Sequence, residues 1–299
     1  MSHTPERPPK TSVSRLLEKK QAHDPITVVT AYDFPTARLA EEAGVDAILV
    51  GDSLAMVVLG QPNTLSVTMD EMLHHARAVS RGASRPLLIG DMPFMSYQAD
   101  RGQAVRNAGR FLAEAGMDAV KLEGGRRMAD TVRAIVDAGI PVQGHVGLLP
   151  QSEKAMGGLR VQGRTAAGAR ALLDDALALE DAGCFSIVIE GVPARLGTEI
   201  TARLRIPTIG IGAGVDTDGQ VLVLHDILGL CERSPRFVKR YADLGQAIGD
   251  ALRAYRDDVV ARRFPAAEHT YAMPDEEWNA FAAELDRPRP RRAFGARRG

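Results

Sequence analysis

Cysteine is nearly missing from this chain: Cys184 and Cys231 are the two among 299 residues. So small a supply excludes a disulfide-stapled fold, and neither thiol has a partner at zinc-ligand spacing. Cys184 precedes an apolar run, so a reduced, packed thiol and a cytoplasmic setting are expected. Aromatic side chains are scarce too, at 5%, although 45% of the residues are hydrophobic. The core must therefore be built from Ala, Val, Leu and Ile, the filling of parallel α/β folds. Neither sign of charge is in excess: 37 basic residues face 38 acidic ones, for a net charge of -1. That balance removes any global pull toward nucleic acid or anionic membrane. No run approaches the ~20 apolar residues of a membrane-spanning helix. The first residues, Met1 to Pro9, lack the apolar segment of a secretory signal.

What is present is a rhythm. Apolar, β-branched runs appear at Ile26–Thr30, Ala47–Val50, Leu87–Ile89, Ala119–Leu122, Ile140–Gly144, Phe185–Ile189, Pro207–Gly210 and Val221–Leu224. Short runs of this kind bounded by Gly or Pro read as buried strands. Alanine-rich helical segments lie between them, over Pro35–Ala43, Gln103–Ala115, Met128–Ala138 and Thr165–Ala182. Each stops at a glycine (Gly44, Gly116, Gly139, Gly183), the residue that ends a helix most cheaply in the left-handed conformation. Eight strands with intervening helices predict an α/β fold, a single-domain (β/α)8 TIM barrel over residues 11–265. The interval from Gly210 to Val221 is too short for a crossover helix, and an open doubly wound sheet is the competing fold. Residues 1–10 are expected to be disordered, and 266–299 to form a partly disordered extension with an arginine- and proline-rich end.

In such a barrel the chemistry gathers at the C-terminal ends of the strands. That rim holds Asp33, Asp52, Ser53, Asp91, Lys121, Glu123, His145, Glu190, His225 and Asp226. A single acid there is ordinarily a helix cap or a loop residue. Asp52, Asp91 and Glu123 end three consecutive apolar runs, and three convergent carboxylates repel one another unless a cation sits among them. Oxygen-only ligands favour Mg2+ over zinc. Lys121 and Glu123 share one face by the period-2 alternation of a strand, which suits an anionic substrate or a simple ion pair. Glu190 follows the apolar run Ile187-Val188-Ile189 and precedes Gly191-Val192-Pro193, surroundings that set it apart from the other acids and make it a candidate general base. Gly210-Ile211-Gly212-Ala213-Gly214 lacks full dinucleotide-binding spacing and reads as a tight turn. Asp216-Thr217-Asp218-Gly219 opens like a calcium loop without the closing Glu. The basic, glycine-flanked segment Gly157–Arg164 reads either as a loop that folds over a bound anion or as a plain connection. His74-His75 reads as a surface or packing feature of a helix.

Several segments together resemble the ketopantoate hydroxymethyltransferase family. They are Thr30-Ala31-Tyr32-Asp33, Val50-Gly51-Asp52-Ser53-Leu54, Asp91-Met92-Pro93-Phe94-Met95, Val120-Lys121-Leu122-Glu123-Gly124-Gly125, Gly144-His145-Val146-Gly147-Leu148, Pro150-Gln151-Ser152, Val161-Gln162-Gly163-Arg164, the glycine cluster at Gly210–Gly214, and His225-Asp226. The resemblance implies a (β/α)8 barrel, Mg2+ and a homodecamer. It implies transfer of a hydroxymethyl group from 5,10-methylenetetrahydrofolate to 3-methyl-2-oxobutanoate, giving 2-dehydropantoate in pantothenate synthesis. By the same resemblance, Asp52 and Asp91 are metal ligands, with Glu123 a third acid at the metal, directly or through water. Ser53, Lys121 and His145 contact the keto acid, and Glu190 accepts the proton. The sequence departs from the family pattern at Ala55, Leu149 and Leu159. The rival enzyme reading is a phosphoenolpyruvate mutase or isocitrate lyase type reaction on the same barrel. A non-catalytic scaffold acting through its tail is the reading from another class.

Overall fold

The computed structural model describes residues 9–285. The expectations for residues 1–8 and for the arginine-rich stretch from Arg287 lie outside the described residues. The chain divides into two compact units, the first ending at Gly245 and the second beginning at Gln246.

The first unit begins with α1 (Val13–Gln21), capped by Ser12, and β1 (Ile26–Thr30). Next come α2 (Phe34–Glu42), β2 (Ala47–Val50), α3 (Leu54–Val57), α4 (Met69–Gly82) and β3 (Leu87–Asp91). The middle of the unit is α5 (Arg101–Ala115), β4 (Ala119–Lys121), α6 (Ala129–Asp137) and β5 (Val142–Gly147). Then follow α7 (Glu153–Met156), α8 (Ala166–Asp181), β6 (Ser186–Glu190) and α9 (Ala194–Arg203). It closes with β7 (Thr208–Ile211), β8 (Gly219–Leu222) and α10 (Leu224–Ile227). The second unit holds most of α11 (Leu244–Val260) and all of α12 (Asp275–Leu285).

The eight strands form a closed parallel barrel in sequence order, β8 returning to β1. All eight expected runs become strands. The four predicted helix stops adopt positive φ, from 68° at Gly116 to 99° at Gly183. Strand ends shift by one to three residues in six of the eight, and two of these shifts matter for the rim. β5 continues to Gly147, which places His145 inside the strand, and β8 starts at Gly219, so that Leu224 opens α10. The short interval after β7 does not break the barrel. Residues 212–218 span up to ~24 Å when extended, against ~13 Å for a four-residue strand, so the chain returns to the strand base without a helix.

Strand alternation divides the core in two. Ile26, Val28, Ala47, Leu49, Leu87, Ile89, Ala119, Val188, Ile209 and Val221 point inward and pack with Leu16 of α1, which closes the N-terminal end of the barrel. The opposite faces, among them Ile48, Leu88, Val120, Val142 and Ile187, pack against the helices. Cys184 is buried in that outer layer, where burial pushes its thiol up to about 12.

A candidate active site at the C-terminal rim

The inward parity that fills the barrel with aliphatics continues upward into polar groups. Above Leu87 and Ile89 on β3 comes Asp91; above Ala119 on β4 come Lys121 and then Glu123; above Ser186 and Val188 on β6 comes Glu190. His145 takes the equivalent place on β5. Gly147 makes this corner possible. Its φ is +100°, and a Cβ there would lie 2.2 Å from the Glu190 carbonyl oxygen.

These side chains line one cavity of about 480 Å³ together with Asp52 and Ser53 from the turn after β2. Its walls are aliphatic, with Leu49, Val188, Ile211 and Val221 among the lining residues; Met56, Leu159, Cys231, Arg233 and Phe237 line it too. Every residue assigned to metal, substrate or catalysis from the sequence is therefore in one place. Asp33 is not: its carboxylate caps α2, accepting from the Thr36 amide at 2.8 Å. Asp226 reaches the lining; His225 does not, and its ring lies tilted 5.4 Å from that of Tyr32. The segment Gly157–Arg164 brings Leu159 to the cavity but neither of its arginines. His75 packs within the fold, its Nδ1 2.6 Å from the Tyr32 carbonyl oxygen.

The electrostatics are unbalanced. Five acids line the cavity: Asp52, Asp91, Glu123 and Glu190 gather with the Lys121 ammonium, and Asp226 and Arg233 line it as well. Lys121 Nζ donates to both Asp91 oxygens, at 2.7 and 2.8 Å. Burial opposes its charge, yet Asp91, Glu123 and Asp52 together hold its pKa above the ordinary range. Asp52 and Asp91 are adjacent, the Asp52 amide donating to Asp91 Oδ2 at 3.2 Å. Burial, followed by the charge of Asp91, pushes Asp52 up to about 7. Burial and then Asp52 raise Glu123 well above the usual carboxylate range. Burial lowers His145. Its Nε2 stands 3.2 Å from Glu190 Oε2 and its Nδ1 3.7 Å from Glu123 Oε1, both off a hydrogen-bonding line. The Glu190 side chain is the least buried of these groups, at 14% exposure against 2% for Glu123 and His145.

The sequence reading singled out no role for three residues. Tyr32 is fully buried and its hydroxyl meets Ser53 Oγ at 2.8 Å. Gln151 and Tyr97 are also buried; Gln151 reaches the Asp52 carboxylate, and Tyr97 meets the backbone amide of Glu123. Gln151 and Tyr32 lay inside segments that carry the family resemblance, but nothing in spacing or periodicity marks a neutral polar residue arriving from a loop.

A divalent cation fits this set. The available donors are carboxylate oxygens, and Glu123 Oε1 is buried without a partner. Paired acids whose proton affinity is raised by burial and by one another gain most from a positive ion. Among the described residues no three His, Cys, Asp or Glu side chains converge tightly enough to hold a metal alone.

Comparison with known proteins gives one answer. A sequence model described as ketopantoate hydroxymethyltransferase matches residues 10–267. The 3-methyl-2-oxobutanoate hydroxymethyltransferase of Oleidesulfovibrio alaskensis is 57% identical over 84% of this chain and 88% of its own. That of Carboxydothermus hydrogenoformans is 56% identical over 89% of this chain and 97% of its own. Among solved structures, 2,3-dimethylmalate lyase, of the phosphoenolpyruvate mutase/isocitrate lyase superfamily, matches with a TM-score of 0.57 at 18% identity over 92% of this chain and 99% of its own. Phosphonopyruvate hydrolase matches with a TM-score of 0.56 at 15% identity over 92% and 96%. Identities so low show a shared barrel and nothing of the reaction.

Proposed function

The chain belongs to the ketopantoate hydroxymethyltransferase family, and on that premise we propose that it moves a hydroxymethyl group from 5,10-methylenetetrahydrofolate to 3-methyl-2-oxobutanoate in an Mg2+-dependent reaction, giving 2-dehydropantoate. The observation that carries this reading is the gathering of five acids against two basic residues, Lys121 and Arg233, in the lining of a single cavity with aliphatic walls. An anionic oxo acid has no reason to enter so negative a site unless a cation comes with it.

Asp52 and Asp91 would hold the ion, with Glu123 beside them. When bound, it would supply the electron withdrawal that makes the C3 hydrogen of a 2-oxo acid removable. Lys121 neutralises Asp91 through two hydrogen bonds and so keeps that carboxylate fixed. Ser53, held by the Tyr32 hydroxyl, offers a donor to the substrate carboxylate. Glu190, the more accessible acid, takes the C3 proton; burial lowers the proton affinity of the His145 ring beside it and makes it the poorer acceptor. The aliphatic walls limit access of water while carbon attacks the one-carbon unit; one water is consumed in the reaction, its oxygen becoming the product hydroxyl as tetrahydrofolate leaves.

The test is direct. Protein incubated with 3-methyl-2-oxobutanoate and Mg2+ in deuterated water should exchange the C3 hydrogen, and adding methylenetetrahydrofolate should yield tetrahydrofolate and 2-dehydropantoate. Glu190→Gln should abolish exchange while keto acid binding persists; full exchange in that variant removes Glu190 from the role. Turnover of a phosphonate or 2-methylisocitrate-type substrate without folate would favour the mutase/lyase reading instead. The same proposal extends to a cytoplasmic homodecamer, for which light scattering of the purified protein is the measurement.

A further inference from the structure

Two neutral residues stand behind the acids. Gln151, in the turn after β5, has all its hydrogen-bonding capacity engaged. Its Nε2 donates to Asp52 Oδ2 at 2.9 Å and to the Met92 carbonyl oxygen at 3.0 Å. Its Oε1 accepts from Tyr97 Oη at 2.7 Å and from Gln98 Nε2 at 3.1 Å. Its backbone amide donates to Glu123 Oε2 at 3.0 Å. Tyr97 closes the loop, because its hydroxyl oxygen accepts from the Glu123 amide at 3.1 Å. The Tyr97 proton has two acceptors in range, Gln151 Oε1 at 2.7 Å and the Glu123 carbonyl oxygen at 3.2 Å, and the shorter contact runs the chain from the Glu123 amide to Tyr97, from Tyr97 to Gln151 and from Gln151 to both acids. Turning the Gln151 amide over would set its oxygen against the oxygens of Asp52 and Met92.

We propose that Gln151 and Tyr97 are positioning residues for the proposed transfer reaction: Gln151 ties one oxygen of Asp52 through its side chain and one of Glu123 through its backbone amide, Tyr97 orients Gln151, and the opposite oxygens are left free for a divalent cation and its ligands. The unpartnered state of buried Glu123 Oε1 is what this division of labour requires. Neutral tethers suit the task. Asp91 already has a charged donor in Lys121; a second one on Asp52 or Glu123 would weaken the hold of the set on a cation, while an apolar neighbour would let these two acids turn away from each other. Outer partners of this kind are ordinarily worth ten- to a hundredfold in metal affinity or activity.

The inference rests on the proposed cation chemistry, and the experiment separates the two. Mn2+ binding to the full chain is measured by electron paramagnetic resonance for wild type, Tyr97→Phe, Gln151→Met and the double variant, alongside thermal unfolding and steady-state kinetics. Tyr97→Phe removes one oxygen atom and keeps the buried ring, so the fold is retained. Mn2+ affinity is expected to fall about tenfold in Tyr97→Phe and ten- to a hundredfold in Gln151→Met, with a matching loss in kcat. Because Tyr97 acts through Gln151, adding Tyr97→Phe to Gln151→Met should lower affinity by less than about threefold. A structural role alone would change the unfolding temperature and leave Mn2+ affinity at the wild-type value. Wild-type affinity in folded Tyr97→Phe and Gln151→Met overturns this inference alone. Failure of the wild type to bind Mn2+ overturns it together with the cation chemistry of the proposed function.

Discussion

The barrel carries a ring of acids at each end, and the two are built on opposite plans. At the N-terminal end, Asp46, Asp118 and Asp218 stand one residue before β2, β4 and β8. Each has a lysine: Lys19 at 2.8 Å, Lys10 at 2.5 Å and Lys20 at 2.8 Å. Each also accepts a backbone amide from the preceding strand: Thr27 to Asp46, Leu88 to Asp118, Thr208 to Asp218. Charge is matched one to one, and the acids stitch neighbouring strands together. At the C-terminal end Asp52, Asp91, Glu123 and Glu190 gather around Lys121, with Asp226 and Arg233 also in the lining, and one buried carboxylate oxygen, Glu123 Oε1, has no partner. A matched acid is structural; an excess of unmatched, buried acids is a binding site for positive charge. The residue type is the same at both ends, so only its company separates the roles.

That contrast predicts separable effects. Asp91→Asn at the rim should cost at least a hundredfold in hydroxymethyl transfer while far-ultraviolet circular dichroism is unchanged; near-wild-type turnover would mean that the unmatched ring is not the reaction centre. Below the lumen the losses should be in stability. Leu16→Ala removes the buried plug of the N-terminal end and should cost roughly 2–5 kcal/mol, read as a lower unfolding temperature with kcat preserved well below it. Asp218→Asn should be milder, about 1–3 kcal/mol, because it leaves the Thr208 amide and Lys20 without their shared acceptor. A loss of kcat larger than the loss of stability in that variant would blur the two rings.

The smallest effect is in pH. Asp52 binds its proton up to about 7 when folded, against an ordinary 3.8, so between those values the folded state holds more protons than the unfolded one. Stability contributed by this group therefore falls as pH rises through that window. Without divalent cation, the unfolding temperature of wild type relative to Asp52→Asn should decline from pH 4.5 to pH 7.5, and saturating Mg2+ should reduce the decline. No trend would indicate that Asp52 is already neutralised by its surroundings.

Much of this was legible in the chain. The strand runs and the glycine stops report local conformation, and local chemistry writes them plainly. Asp91, Lys121, Glu123 and Glu190 were legible because strand parity and strand ends fix which residues meet at the rim. Gln151 and Tyr97 were not, since loops bring them in and their value lies in partners 26 to 99 residues away. The paired lysines of the lower ring were hidden for the same reason: Lys20 meets Asp218 across 198 positions. The fold itself does not distinguish a hydroxymethyltransferase from a mutase or lyase; that distinction is carried by the rim residues and the family match.

The helix-free link between β7 and β8 also has a kinetic meaning. Ile209 and Gly219 pair ten positions apart, whereas Ile26 and Gly219 pair across 193. Loop closure grows costlier with the length of chain enclosed. The last two strands are thus able to associate as a local ribbon early in folding, and the seam between the first strand and the last is the late event that seals the cylinder.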